Sequence, residues 1–87
     1  MTQLALRTDD LYWREVDDEI VVLEGRASTY MSVNNSGVLI WRMLARGATR
    51  DEVISALVTA YGIDARSTAA DADRFVDQMR AAGLLAA

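Results

Sequence analysis

Residues 30–44 read YMSVNNSGVLIWRML, and within this stretch the sequence pattern changes from strand to helix. Just before the change, residues 29–33 (TYMSV) combine aromatic and β-branched side chains, which are typical of a strand. After it, residues 38–45 (VLIWRMLA) are apolar on almost every side of a helix, which predicts a buried helix. The polar segment 34–37 separates the two, and we expect one of its two asparagines to cap the helix.

Two further strands are predicted before this stretch. Residues 11–16 (LYWREV) and 20–23 (IVVL) carry strand-forming residues, and turn residues follow each of them. Because two short connections join the three strands, the sequence favours an antiparallel meander over about residues 11–33. The second strand is apolar on both faces, which is typical of a strand that is central in its sheet or covered on both sides.

Three helices are predicted, at about residues 35–46, 49–61 and 65–82, of which the first begins within this stretch. The second begins with a capping-box pattern, TRDE, at residues 49–52, while the start of the third is left open between Asp64 and Ser67. We therefore expect one α+β domain over residues 1–87, with the order βββααα. A three-stranded antiparallel sheet followed by three helices is similar to a winged helix-turn-helix, but this architecture does not define a function.

The composition argues against an enzyme. The chain has 87 residues and contains no cysteine, no histidine and no lysine. It therefore lacks a thiolate nucleophile, an imidazole base and a Schiff-base lysine. Two tuned carboxylates could catalyse acid–base chemistry, but a chain this short has little room for a substrate cleft. The acidic residues at 9–10 and 17–19 lack the spacing of a calcium loop, so we expect solvated turns, no metal site and no cofactor.

The charge distribution argues against nucleic acid and membrane as partners. Nine arginines oppose thirteen acidic residues, for a net charge of −4, and no segment forms a basic stripe. A DNA-binding winged-helix regulator needs a basic recognition helix, whereas the second helix has Arg50 directly before Asp51 and Glu52. No apolar run approaches the roughly 18–20 residues of a membrane span. The N-terminus has no signal-peptide pattern, and a cytoplasmic location is expected.

The stretch that decides the fold also resembles a known family. In PqqD proteins an aromatic strand end is followed by Leu/Val-Asn, by Gly three residues on, and then by Ile-Trp and Leu. The matching positions here are Tyr30, Val33, Asn34, Gly37, Ile40, Trp41 and Leu44. Similar segments at 17–23, 49–53 and 82–85 extend the resemblance to about residues 11–85.

The resemblance implies a RiPP recognition element, a non-catalytic domain that binds the leader segment of a ribosomally made precursor peptide. The leader is expected to add as a strand to the edge of the third strand and to lie in a groove against the third helix. The residues implied in binding are Thr29, Tyr30, Met31, Ser32, Val33, Asp71, Arg74, Phe75, Gln78 and Met79.

The resemblance also implies partners. A stand-alone domain of this kind is most similar to the leader-binding proteins of lasso-peptide biosynthesis, which present the precursor to a separate, transglutaminase-like leader peptidase. Contact with the cyclase of such a pathway is left open. The alternative within the family is a PqqD-type peptide chaperone for a radical enzyme in quinone-cofactor synthesis.

Each candidate residue also has a purely structural interpretation. A helix could cover the segment 29–33, although it carries neither the charge nor the proline with which soluble proteins usually protect an edge strand. Phe75 and Met79 could be core residues at helical spacing. The polar residues of the third helix could be a solvated face, among which Arg74 is best suited to bind a carboxylate or carbonyl. A homodimerisation domain that pairs through the same strand edge is a further interpretation.

Overall fold

The computed structural model describes residues 3–86, and its element order confirms the predicted α+β class. The elements are β1 (Gln3–Leu4), β2 (Leu11–Val16), β3 (Glu19–Glu24), β4 (Thr29–Val33), α1 (Ser36–Arg46), β5 (Ala48–Thr49), α2 (Arg50–Tyr61) and α3 (Ala65–Ala81). The three strands of the predicted meander are β2, β3 and β4. The short strands β1 and β5 are additional to the sequence-based prediction.

The sheet of β2, β3 and β4 is antiparallel, and β3 lies in its centre. Successive side chains of a strand point to opposite faces, and the register aligns Trp13, Val22 and Met31 on one of them. On this face Ile20 and Val22 are fully buried in the core. The opposite face, called the outer face below, carries mostly exposed side chains.

Helix α1 is the buried helix that the sequence predicts. Ile40, Trp41 and Leu44 are at most 2 % exposed. The ring of Trp41 meets that of Trp13 edge to face, with 5.8 Å between the ring centroids, so α1 packs directly on the sheet.

The N-terminal cap of α1 differs from the prediction. Asn35 occupies the N-cap position with a φ of 56°, but no asparagine side chain caps the helix. Backbone groups close the turn instead, because the amides of Gly37 and Val38 donate to the carbonyl oxygens of Asn34 and Asn35. Residues other than glycine seldom adopt a positive φ, and asparagine is among those that do so most often, so Asn35 serves the backbone conformation of this turn rather than capping the helix.

Side-chain caps define where α2 and α3 begin. The Thr49 hydroxyl accepts from the Glu52 amide at 3.2 Å, and the Glu52 carboxylate accepts from the Thr49 amide at 2.8 Å. This confirms the predicted capping box. Asp64 is the N-cap of α3 and accepts from the Ser67 amide at 3.0 Å, which also lowers the pKa of Asp64.

The N-terminal segment packs against the end of α1 and against the segment that follows α3. β1 pairs with β5, which follows α1 directly. The amides of Leu6 and Arg7 donate to the carbonyl oxygens of Leu44 and Leu84 at 3.1 and 2.8 Å, and both Leu6 and Leu84 are buried. Segments near the two ends of the described chain are therefore held together and against the end of α1.

Glu24 is a buried carboxylate, although the sequence pattern there indicated a turn. It continues the buried face of β3 and is 3 % exposed. Its carboxylate pairs with the Arg7 guanidinium and accepts from the amides of Arg26 and Ala27 at 2.9 and 2.8 Å. These donors, Arg7 above all, lower the pKa of Glu24 to about 2. The pair fastens the N-terminal segment to the turn between β3 and β4.

Candidate functional site

β4 is an edge strand of the three-stranded sheet. One side of it pairs with β3, and no strand within residues 3–86 pairs with the other side. The segment Thr29–Val33 contains neither a charged residue nor proline, the features that usually block the addition of a further strand. Its outward backbone N–H and C=O groups can therefore pair with an added strand.

The side chains of β4 alternate between two environments. Val33 is 8 % exposed in the core, and Met31 is half-buried against the core on the same face. Tyr30 and Ser32 point to the outer face, and Tyr30 is 68 % exposed. Thr29 is exposed at the start of the strand. Val33 can thus offer a ligand mainly its backbone, whereas Met31 and Tyr30 can offer side chains on opposite faces of the edge.

A groove of about 340 Å³ lies along α3. The structure brings together in it four residues of the predicted site, Asp71, Arg74, Phe75 and Gln78, with Ala72 and with Ser36, Ile40 and Leu57 from the other two helices. The buried side chains of Ile40, Leu57 and Ala72 give the groove an apolar floor. The rim is polar, because the other α3 residues apart from Phe75 are exposed.

The groove and β4 meet at Gly37. A Cβ atom on this residue would lie 2.7 Å from Cε2 of Phe75 and 2.9 Å from Cγ1 of Val33. Because carbon atoms do not approach so closely, the absence of a side chain lets the Phe75 ring and the end of β4 reach the same point of α1. The half-buried Phe75 ring therefore joins the groove to the strand edge.

Ion pairs within α3 and with α2 set the charge around this helix. On the groove side Arg74 pairs with Asp71, with 3.1 Å between Nη1 and Oδ1, and the two side chains are 66 % and 64 % exposed. Solvent screens such a pair, so groups of a ligand can compete for Arg74. On another flank Arg50 donates to both carboxylate oxygens of Asp73, at 2.7 and 2.9 Å. This contact lowers the pKa of Asp73 and holds α3 against the start of α2.

The groove does not contain every residue of the predicted site. Met79 is 4 % exposed and belongs to the core. Conversely, Ser36, Ile40 and Leu57 line the groove but are absent from the prediction. The apolar spacing of α1 and α2 marks Ile40 and Leu57 as inward-facing, but only the packing of three helices brings them to Phe75.

The arrangement is suited to an extended peptide. Within residues 3–86 no three histidine, cysteine, aspartate or glutamate side chains are grouped so that they could hold a metal. No helix in that range has the length and apolar character needed to cross a membrane. An open strand edge beside a groove with an apolar floor can bind a peptide through backbone hydrogen bonds and side-chain contacts.

Comparisons with known proteins give one family and similar solved structures. The family described as coenzyme PQQ synthesis protein D (PqqD) matches residues 19–85. No curated protein sequence matches the chain significantly. The structure of TbiB1 in complex with the TbiA(beta) leader peptide is 27 % identical, with a TM-score of 0.85 over 90 % of this chain and 91 % of that one. A lasso peptide synthetase B1 complexed with the leader peptide is 22 % identical, with a TM-score of 0.87 over 99 % of this chain and 100 % of that one.

Proposed function

The chain belongs to the PqqD family, and from that premise we propose that it is a RiPP recognition element, which binds the leader of a ribosomally made precursor peptide without catalysis. The observation that carries the proposal is the uncharged edge of β4 beside the groove along α3, an edge that no strand within residues 3–86 pairs with. Further support comes from the 27 % identical TbiB1 structure, which is a complex with a leader peptide.

In the proposed complex the leader forms an additional strand on β4. The backbone of residues 29–33 supplies hydrogen bonds that do not depend on the leader's sequence, while side-chain contacts give selectivity. Every second leader side chain faces the side of the sheet on which Met31 and Phe75 lie, and apolar leader residues fit there. The guanidinium of Arg74 at the groove rim suits a carboxylate or a backbone carbonyl of the leader.

The proposed role of the complex is to present the precursor to a separate enzyme. In lasso-peptide biosynthesis this partner is a leader peptidase of the transglutaminase-like type. The chain itself has no cysteine and no histidine, so we assign the nucleophile and base of peptide cleavage to the partner. Holding the leader raises the local concentration of precursor at the peptidase and so accelerates cleavage.

The family description favours a second candidate, a PqqD-type chaperone that holds a peptide for a radical enzyme in quinone-cofactor synthesis. Both candidates use the same edge and groove, and the peptide that binds distinguishes them. DNA binding has less support, because the first turn of α2 contains Asp51 and Glu52 and its Arg50 is engaged by Asp73.

Titration with a synthetic leader tests the proposal. Once the genes next to the one for this chain have been searched for a short precursor reading frame, the leader of that precursor, without its core peptide, is added to isotope-labelled protein. We expect the backbone NMR resonances of residues 29–33 and of α3 to shift. Shifts confined to residues 49–61 would contradict the proposal and favour the surface that a winged-helix regulator uses.

A matched pair of arginines makes this test specific to the groove. Arg74 and Arg80 each pair with an aspartate three residues earlier on α3, at 3.1 and 3.2 Å, and their side chains are 66 % and 58 % exposed. Arg74 lines the groove, whereas Arg80 lies on another flank of α3. We expect Arg74→Ala to weaken leader binding and Arg80→Ala to leave it unchanged. Equal affinities of the two variants would remove Arg74 from the site.

A further inference from the structure

One arginine side chain links the end of α3 to the start of the edge strand β4. Nη1 of Arg7 donates to the carbonyl oxygen of Gly83, just past the end of α3, at 2.8 Å. Nη2 of Arg7 pairs with the Glu24 carboxylate at the end of β3. The strand register places Glu24 opposite Thr29, the first residue of β4. The guanidinium therefore connects the two elements between which the leader is proposed to lie.

The link is buried and its geometry is fixed by several acceptors. The side chains of Arg7 and Glu24 are 11 % and 4 % exposed, so water competes little for their contacts. The guanidinium also donates to the carbonyl oxygens of Asp9 and Asp10, at 2.9 and 3.1 Å. The Glu24 carboxylate in turn accepts two amides of the turn that leads into β4. Only the planar fork of an arginine can hold acceptors in so many directions at once.

The opposite ends of α3 and β4 meet at Gly37, where the Phe75 ring and Val33 converge on α1. From Phe75 to Gly83 the helical rise amounts to about 12 Å. From Val33 back to Thr29 the strand covers about 13 Å. Because these lengths agree, the two elements run side by side in opposite directions, and a contact joins them at each end.

We propose that Arg7 is a positioning residue for the leader, which sets the spacing between β4 and α3 without contacting the peptide. The inference rests on the proposed function. Backbone pairing fixes an added strand at about 4.7–4.9 Å from β4, so the position of α3 decides whether the side chains of that strand reach the helix. With Arg7 in place this spacing exists before the leader arrives, and less ordering accompanies binding.

Arg7→Lys tests this role because it keeps the positive charge and removes the fork. A lysine ammonium can pair with Glu24 but cannot also hold the carbonyl oxygen of Gly83 in the same geometry. If the cleft is then competent for about one tenth of the time, affinity for the leader falls by about 10-fold. Binding kinetics with the synthetic leader should show this loss as slower association. The dissociation rate should stay the same, because the contacts of the bound leader do not change.

Spin-label distances measure the cleft in the absence of leader. The chain contains no cysteine, so labelled cysteines can be introduced in pairs at exposed positions. Thr29→Cys with Ala82→Cys spans the end of the cleft that Arg7 links. Ser32→Cys with Asp71→Cys spans the opposite end. Arg7→Lys should broaden the distance distribution of the first pair and leave that of the second pair unchanged.

Control variants separate positioning from a general loss of stability. Arg42→Lys makes the same replacement in the ion pair with Glu15, away from the groove, and should leave leader affinity unchanged. Val53 is 1 % exposed on α2 and does not line the groove, so Val53→Ala should lower the melting temperature without slowing leader association. Glu24→Gln is the second test variant if Arg7→Lys fails to fold. It weakens the link from the other side and should slow association in the same way.

The outcomes separate this inference from the proposed function. Unaltered leader affinity and an unaltered distance distribution in Arg7→Lys overturn the inference and leave the proposed function standing. An equal loss of affinity in Val53→Ala and Arg7→Lys would mean that Arg7 acts through stability alone, which also overturns it. Faster dissociation with unchanged association would show that Arg7 contacts the leader and is not a positioning residue. Failure of the unaltered protein to bind the leader contradicts the proposed function itself.

Discussion

Replacing Gly37 with alanine tests whether the junction of groove and strand edge is as tight as its geometry indicates. In an open helix this change stabilises a protein by about 0.5–1 kcal/mol, because glycine is a poor helix former. Here the added Cβ atom would lie 2.7 Å from the Phe75 ring and 2.9 Å from Val33. The ring must then retreat by about 0.8 Å to reach the roughly 3.5 Å at which carbon atoms attract each other. Packing and helix propensity therefore predict effects of opposite sign.

The packing term should exceed the propensity term. Overfilling a packed site costs about 1–3 kcal/mol, which leaves a net destabilisation of about 1 kcal/mol once the helix gain is subtracted. For a domain of this size, that corresponds to a melting temperature lower by about 4–8 °C. Thermal unfolding followed by circular dichroism measures this change. The displaced Phe75 ring should also weaken leader binding, which the titration described above measures.

A double variant isolates the contact. In the Phe75→Ala background one of the two clashing side chains is absent, so Gly37→Ala should cost less there than in the unaltered protein. Contacting residues typically show an interaction energy of about 0.5–3 kcal/mol in such a cycle. If Gly37→Ala instead raised the melting temperature in both backgrounds, α1 would not lie this close to Phe75 and Val33, and our account of the site would be wrong.

The remaining predictions concern the core, the site, the ion pair and catalysis. Trp41→Ala should cost about 3–5 kcal/mol, most of the stability of a small domain, and circular dichroism should detect a largely unfolded chain; a stable, folded variant would mean that α1 is misplaced. Arg74→Ala should change stability by less than about 1 kcal/mol. Met31→Asp should lower both the melting temperature and the affinity for the leader. If neither value changed in Met31→Asp, Met31 would not belong to the site. The pKa of Glu24 lies below its ordinary value of 4.5, at about 2, so its ionised form stabilises the fold above about pH 4.5 and that contribution is lost as pH falls towards 2. Urea unfolding should accordingly show a lower free energy of unfolding for Glu24→Gln, and this free energy should fall less steeply as the pH is lowered. An unaltered pH dependence of the free energy of unfolding would argue against the buried pair. The purified protein alone should leave the precursor intact in mass spectrometry, and any turnover would contradict a non-catalytic role.

Sequence patterns predicted those features whose partners lie close together in the chain. The capping box needs only Thr49 and Glu52, three residues apart, and the central position of β3 follows from its own apolar residues. Glu24 shows the limit of this reasoning. Strand alternation places it on the buried face of β3, but its main partner, Arg7, lies in a segment without a recognisable pattern. Strands β1 and β5 have two residues each, which is too short for any periodicity.

The sequence predicted only part of the candidate site, because contacts between elements that are distant in the chain decide which residues reach the groove. Phe75 and Met79 are one helical turn apart on the same apolar stripe, but Met79 lies in the core and Phe75 at the groove. Helical spacing identifies the apolar stripe of α3, whereas the neighbouring elements decide which residues of that stripe remain accessible at the groove. The same applies to Ile40 and Leu57, whose contribution to the groove depends on how α1 and α2 pack against α3.

The contact between residues 3–7 and residues 84–86 means that folding of this domain finishes late in its synthesis. Residues 3–7 leave the ribosome before the rest of the domain, yet part of their hydrogen bonding and apolar packing comes from residues 84–86, which leave it more than seventy residues later. The sheet and α1 can assemble meanwhile, because their contacts are more local and such contacts form sooner. A translation product that stops before Leu84 would therefore hold residues 3–7 through fewer contacts, those with β5, Leu44 and Glu24, and cellular proteases would cut this segment more readily.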